Sequence, residues 1–132
     1  MQFSTAFALA AFTGFSIAAP ALKDRYIKGQ CGVHVTQYQK NENGVGADYK
    51  FDVRILDAGG NTIGLDIGHA IPNFQSAAIA SALDYLLIVT AGSIDQDPVQ
   101  FAYAGYTFSS SSGCSTGGYE DGNREMDCGF SC

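Results

Sequence analysis

The sequence predicts an all-β fold: a single-domain antiparallel β-sandwich or small barrel of six to eight strands, stapled by two disulfides. Three observations predict it. Apolar and polar residues alternate along several short segments, which is typical of strands with one face in a core. Turns that contain glycine or asparagine separate these segments at regular intervals. Four cysteines occur in 132 residues without a CxxC spacing, as in the disulfide framework of an exported protein.

The first two predicted strands show the clearest alternation. In residues 31–38, the cysteine, Val33 and Val35 share one face, and mostly polar side chains occupy the other. In residues 49–55, every odd residue is apolar and every even residue is charged. That pattern predicts a strand with one solvated face. Residues 40–48 between the two strands are predicted to form a loop.

A turn at residues 57–61, which contains two glycines, is predicted to join the second strand to a return strand. Glycine suits a tight turn because it adopts positive φ without a Cβ clash. The return strand is predicted to continue the alternation and so complete a β-hairpin. Its inward residues are Ile63, Leu65 and Ile67, and its outward residues are Thr62, Gly64 and Asp66.

The second half of the chain supplies the remaining strands. Residues 73–83 fit either a short helix or a weak strand, and the strand is favoured. Residues 86–89 are apolar on both faces, which predicts a central, covered strand. The other predicted elements are a turn at 91–98, a strand over 99–108, a long loop at 109–123 and a final strand at 124–132.

The charge balance limits the classes of partner. Seven Lys+Arg against 13 Asp+Glu give a formal net charge of −6. Nucleic acid and anionic membranes favour basic surfaces, so neither is an expected partner. With 46% hydrophobic and 15% charged residues, the chain has the composition of a folded domain. We expect a monomer without a cofactor.

Residues 1–21 are predicted to be a secretory signal peptide. An uncharged stretch extends to Leu22 and ends in small residues, which suits cleavage before Ala19 or before Leu22. A transmembrane helix is the alternative, and the modest hydrophobicity and N-terminal position of the stretch disfavour it. Residues 22–30 are predicted to form a short leader and residues 31–132 the β-sandwich domain. The mature protein is therefore expected to be secreted.

The four cysteines are expected to form two disulfides, because an exported chain meets an oxidising environment. Their spacing fits no metal site. The favoured pairing is Cys31–Cys132 with Cys114–Cys128. Loops of about 100 and about 15 residues would then contribute roughly 4.7 and 3 kcal/mol to stability. Cys31–Cys128 with Cys114–Cys132 stays open, because Cys128 and Cys132 share one face of an extended strand.

The two histidines are the candidates for acid–base catalysis. His34 lies on the predicted solvent face of the first strand, and His69 lies near the end of the return strand. Together with Arg54 and a glutamate, they could serve a small ribonuclease-like hydrolase. No recognisable nucleophile or carboxylate pair accompanies them, so surface histidines are preferred and no catalytic residue is predicted. The glutamates considered are Glu42, Glu120 and Glu125.

Two loops, residues 40–48 and 109–123, are the predicted contact surface. Loops on a rigid sandwich usually carry the residues that recognise a partner. The candidate binding residues are Asn43 and Gly44 in the first loop and Tyr119, Glu120 and Asp121 in the second.

Four segments together resemble a group of small secreted proteins of filamentous fungi. They are CGVHVTQY at 31–38, LIVTAG at 87–92, DPVQFAY at 97–103 and DCGFSC at 127–132. Over residues 31–132, the chain is similar to the effector-like, hypersensitive-response-inducing elicitors that plant-associated fungi export. The resemblance implies a two-disulfide β-sandwich or barrel that acts outside the fungal cell and is perceived by plant tissue. It assigns no functional residue to this sequence.

The sequence therefore predicts a secreted, non-enzymatic, effector- or elicitor-like protein that binds a host plant protein or a cell-wall component. Two alternatives stay open. One is a small secreted hydrolase that uses His34 and His69, and the other is a structural protein of the fungal cell wall.

Overall fold

The computed structural model describes residues 25–132, which fold into two antiparallel β-sheets packed as a sandwich. The predicted signal peptide lies outside these residues. None of the described residues forms a helix with the length and hydropathy that a membrane span requires. Along the chain the strands are β1 Gln30–Tyr38, β2 Tyr49–Leu56, β3 Thr62–Ile71, β4 Ser76–Ile79, β5 Leu87–Thr90, β6 Gln100–Tyr103, β7 Tyr106–Ser109, β8 Cys114–Thr116 and β9 Asn123–Ser131.

The five-stranded sheet has the order β3-β2-β1-β9-β8, and the four-stranded sheet has the order β4-β5-β6-β7. The predicted all-β sandwich is confirmed. The alternation predicted for β1 and β2 is also confirmed, because Val33, Val35, Phe51 and Val53 are buried between the sheets. Phe101 of β6 enters the same core from the other sheet.

Residues 25–132 contain nine strands instead of the predicted six to eight. The segment predicted as one strand over 99–108 is the β6–β7 hairpin. It turns at Ala104 and Gly105, whose φ angles of +50° and +87° are those of a primed hairpin turn. Within the predicted loop 109–123, the three residues of β8 pair with β9 and add a further strand.

The predicted facing of β3 is wrong for Leu65 and Ile67, which are 61% and 63% exposed. The pairing of β2 with β3 is irregular just after Ile55, where a β-bulge adds a residue to one strand. Because side chains alternate with a period of two, this extra residue reverses the facing of the neighbouring part of β3. Gly64 consequently lies opposite buried Ile55, and Leu65 lies opposite Arg54 on the outer face.

The segment left open between helix and strand, and the predicted central strand after it, both contain strands. Residues 73–83 contain β4, which confirms the strand interpretation for Ser76–Ile79. The strand predicted over 86–89 is β5, and it has a neighbour on each side as expected. It begins one residue later, however, since Leu86 is exposed. Ile88 is only half-buried on the outer face, so one face of β5 is less covered than predicted.

Residues 25–29, within the predicted leader, pack against the sandwich. Tyr26 is buried in the core. The backbone N–H of Ile27 donates to the carboxylate of Asp57 at 3.0 Å. This bond, together with N–H groups of the β2–β3 turn, holds the pKa of Asp57 below its ordinary value despite some desolvation. The segment is therefore tied to that turn.

Both disulfides have the favoured pairing. Cys31–Cys132 joins residues 101 positions apart, and Cys114–Cys128 joins β8 to β9 over 14 positions. No cysteine in the described part of the chain is free. Two disulfides in a protein of this size are consistent with an extracellular environment.

Candidate functional site

A groove of about 400 Å³ crosses the outer face of the five-stranded sheet. Its lining comes from three adjacent strands, since His34 lies opposite Arg54 and Arg54 lies opposite Leu65. The groove therefore combines exposed aliphatic side chains with charges of both signs. We call it the outer groove, and the side chains that define it are His34, Thr36, Asp52, Arg54, Leu65 and Ile67.

His34 in the outer groove is held by two carboxylates of β9. Its Nδ1 lies 2.6 Å from Oδ1 of Asp127, and its Nε2 lies 2.9 Å from Oε1 of Glu125. A carboxylate only accepts hydrogen bonds, so both contacts are hydrogen bonds when both ring nitrogens carry a proton. Each ring nitrogen therefore faces a carboxylate of β9.

His69, the other catalytic candidate, lies apart from His34. It is opposite Phe51, whose side chain is buried in the core, and it therefore belongs to the other face of the sheet. Its Nδ1 lies 2.7 Å from Oδ2 of Asp66. Three glutamates are candidates for a site with a histidine. Within the described residues, only Glu125 forms an ion pair with one. The structure thus assembles no site that contains both histidines.

The two predicted contact loops lie against each other. The side-chain amide of Asn43 donates to the carbonyl of Asp121 at 2.9 Å, and the N–H of Gln39 donates to the carbonyl of Gly122 at 2.8 Å. A Cβ on Gly122 would lie 2.6 Å from Nδ2 of Asn43, so a larger residue there would displace the amide that joins the two loops. Asn43, Gly44 and Asp121 consequently form one surface, which we call the loop pair.

The loop pair continues the outer groove. A second depression, of about 420 Å³, is lined by Asn43, Gly44 and Asp121 and also by Asp52 and Ile67. Asp52 and Ile67 line the outer groove as well. The two features therefore make one continuous exposed surface, and this surface is the candidate functional site.

Asp52 fixes the geometry where the outer groove meets the loop pair. One of its oxygens accepts a hydrogen bond from the Tyr38 hydroxyl at 2.6 Å, and the other accepts from the Gly68 N–H at 2.7 Å. The bond to Asp52, followed by burial, raises the pKa of Tyr38 above its ordinary value. The hydroxyl therefore remains a donor, and the bonds hold β1, β2 and β3 together at this point.

The remaining predicted loop residues have different roles. The Tyr119 hydroxyl donates to the carbonyl of Asp95 at 3.1 Å, and the Arg124 guanidinium lies 4.9 Å from the centre of the Tyr119 ring. Burial raises the pKa of Tyr119 to about 12. Glu120 and Asp121 are exposed. Tyr119 therefore braces the loop, while the two acidic side chains face solvent.

A polar network behind the loop pair connects the two sheets. Asp95, in the loop between β5 and β6, accepts hydrogen bonds from the Tyr49 hydroxyl at 2.7 Å and the Gln39 amide at 2.6 Å. Arg124 of β9 donates to the carbonyl of Asp97 at 2.9 Å. Burial, followed by the bond to Asp95, raises the pKa of Tyr49 well above its ordinary value. The network gives the candidate site a rigid base.

We expect the stability of the protein to fall as the pH rises above about 10. Tyr49 and Tyr119 keep their protons in the folded protein at a pH where an unfolded tyrosine has ionised. Their stabilisation is complete below the unfolded pKa and is lost as the pH rises through the raised folded-state pKa. The raised pKa of Tyr49 alone should lower the free energy of unfolding by about 1.4 kcal/mol for each pH unit above about 10. Urea unfolding on both sides of this pH measures the loss, and an equally steep loss in Tyr49→Phe would contradict it.

Sequence reasoning missed Leu65 and Ile67 as surface residues, because strict alternation placed them in the core. A glycine inside a strand is a signal for a bulge, and Gly64 provided that signal. Arg54 and His34, which the sequence offers as candidates for catalysis, both line the outer groove.

No group of three His, Cys, Asp or Glu side chains within residues 25–132 is placed to hold a metal ion. Comparisons with protein-family models, with curated proteins and with solved structures give no match. The resemblance to fungal elicitors therefore stays a prediction.

Proposed function

We propose that this protein is exported and acts outside a fungal cell as a non-enzymatic, elicitor-like protein that binds a host or cell-wall component. The observation that carries the proposal is the continuous surface formed by the outer groove and the loop pair. On this surface Leu65 and Ile67 are exposed next to charged side chains. Exposed aliphatic side chains surrounded by polar groups are typical of recognition surfaces.

The positions of the two histidines support binding over hydrolysis. His34 has carboxylates on both ring nitrogens, and His69 lies on the other face of the sheet. A hydrolase that used both side chains would need them within reach of one substrate bond. The rigid frame supports binding as well, because the disulfides and the Asp95 network hold the surface in one shape and reduce the entropy lost on association.

The proposal is tested by infiltrating the purified, disulfide-bonded protein into leaf tissue and measuring ion leakage. In Leu65→Ser/Ile67→Ser, we expect the same ion leakage to require at least about tenfold more protein, because two apolar contacts are removed. The matched control is Leu86→Ser/Ile94→Ser, which removes similarly exposed side chains elsewhere and should respond like the wild type. His69→Ala should also keep the response.

Two other results would favour the alternatives. Degradation of RNA or wall glycans in a zymogram, lost in His34→Ala, would favour a hydrolase. Tight retention on isolated fungal walls without any leaf response would favour a structural wall protein. Equal responses from the Leu65→Ser/Ile67→Ser variant and the wild type would remove the outer groove from the proposal.

A further inference from the structure

Phe74, in the turn between β3 and β4, combines two unusual properties. It is the most exposed large apolar side chain of residues 25–132, at 72%. Its φ is +58°, in the left-handed region that bulky L-residues rarely adopt. An exposed aromatic side chain on a strained backbone contributes little to the stability of the fold. Strained residues of this kind concentrate at functional positions.

Hydrogen bonds on both sides of Phe74 hold its backbone in place. The N–H of Phe74 donates to the carbonyl of Ala91 at 3.1 Å, and the N–H of Ala91 donates to the carbonyl of Gln75 at 3.1 Å. The N–H of Gln75 donates to the carbonyl of Pro72 at 3.0 Å and closes the turn. These bonds use backbone groups only. Asparagine, which tolerates this conformation, would fit the position at least as well as phenylalanine.

Phe74 lines a depression of about 450 Å³, which we call the Phe74 groove. Asp97 and Gln100 also line it. A Cβ at Gly92 would collide with the side chain of Asp97, so the groove depends on glycine at that position. Oδ2 of Asp97 accepts a hydrogen bond from the N–H of Ser93 at 2.8 Å, which fixes the loop between β5 and β6. The groove is therefore preformed.

A row of polar side chains extends from the Phe74 groove across the outer face of the four-stranded sheet. Ser76 pairs with Thr90, and Thr90 pairs with Gln100, so the three lie side by side on β4, β5 and β6. The hydroxyls of Ser76 and Thr90 are hydrogen-bonded at 2.6 Å. Because neighbouring strands are about 4.8 Å apart, the row is about 10 Å long. The next row along these strands consists of Ala78, Ile88 and Ala102.

This chemistry matches a neutral sugar chain. One face of a sugar ring presents C–H groups that pack on an aromatic ring, and its hydroxyls need hydrogen-bond donors and acceptors at the edge. The Phe74 groove supplies one aromatic ring, hydroxyls and an amide. A protein partner would bury about 800 Å² per side and require several apolar anchors. The net charge of −6 opposes an acidic polysaccharide.

We propose that the Phe74 groove and the row Ser76–Thr90–Gln100 bind a neutral cell-wall polysaccharide, with Phe74 as the stacking platform. This inference goes beyond the proposed function, because it adds a wall glycan as a second ligand. It uses a different surface from the outer groove. The protein can therefore hold a wall glycan on one sheet while the other sheet remains open to a second partner.

The test is co-sedimentation of the disulfide-bonded protein with insoluble chitin, insoluble β-glucan and, as an acidic glycan, calcium-crosslinked polygalacturonate. We expect binding to at least one neutral polysaccharide and not to polygalacturonate. Phe74→Asn should weaken binding about tenfold or more, whereas Phe74→Tyr should keep it. The matched control is Tyr106→Asn, which removes another exposed aromatic ring and should bind like the wild type.

Thermal unfolding separates a binding role from a packing role. Phe74→Asn should melt at the same temperature as the wild type or higher, because asparagine relieves the strained φ. Three results would overturn the inference: no sedimentation with either neutral polysaccharide, unchanged binding in Phe74→Asn, or a clearly lower melting temperature of that variant. If any of them occurs while the leaf response persists, the inference fails and the proposed function stands.

Discussion

Replacing Cys31 and Cys132 with alanine should lower the free energy of unfolding by about 4.7 kcal/mol, one of the two largest losses that we expect for this protein. The disulfide closes a segment of 101 residues. Without it, the unfolded chain gains the conformational freedom of nearly the whole domain. A loss of that size is a large part of the total stability of a small domain. Equilibrium unfolding in urea measures it.

The matched comparison is Cys114→Ala/Cys128→Ala, which opens a segment of 14 residues. The same entropy model gives about 3 kcal/mol for a loop of that length. The variant without Cys31–Cys132 should therefore unfold at the lower urea concentration. The opposite order would show that native-state packing around Cys114–Cys128, and not loop length, determines what each disulfide contributes.

Phe130→Ala should cost about 3 to 5 kcal/mol, because the ring joins the two sheets. Phe130 belongs to β9 of the five-stranded sheet and is 5% exposed. The centre of its ring lies 5.6 Å from that of Phe108, on which it stacks, and 5.2 Å from that of Tyr103. Both partners belong to the four-stranded sheet. Alanine would leave a cavity between the sheets and remove both aromatic contacts.

Thermal or urea unfolding of Phe130→Ala checks this expectation. Tyr106→Ala is the control, since the Tyr106 side chain is 65% exposed and its removal should change stability by no more than about 0.5 kcal/mol. Phe130→Leu should fall between the two, because leucine fills part of the space. Similar losses in Phe130→Ala and Tyr106→Ala would show that the aromatic contact between the sheets contributes little.

The parts of the fold that could be predicted from sequence are those in which local pattern and burial agree. β2 alternates strictly and is buried on one face, so its pattern follows from the residues alone. Two errors arose where one residue changes the geometry. The bulge after Ile55 moves Leu65 to the surface. Ala104 adopts a positive φ, which an alanine in the sequence does not indicate.

The candidate site was predictable only in part, because it depends on neighbours that are far apart in the chain. Turn residues mark both predicted contact loops in the sequence, although β8 lies within the second. That Asn43 reaches Asp121 follows from the pairing of β1 with β9, which no local pattern reveals. Phe74 gave no signal in the sequence either. An isolated aromatic residue in a polar turn is recognised only when its φ and exposure are known.

The place of β9 between β1 and β8 has a consequence for biosynthesis. β1 is made early, yet its partner on one side reaches it only after Ser131 has left the ribosome. Until then, β1 has an unpaired hydrogen-bonding edge, and the core side chains of β9 are missing from the interior. Translation adds roughly 5 to 20 residues per second, so this exposed state lasts for seconds. During that time β1 is open to pairing with the edge of another chain, which its final neighbour later prevents.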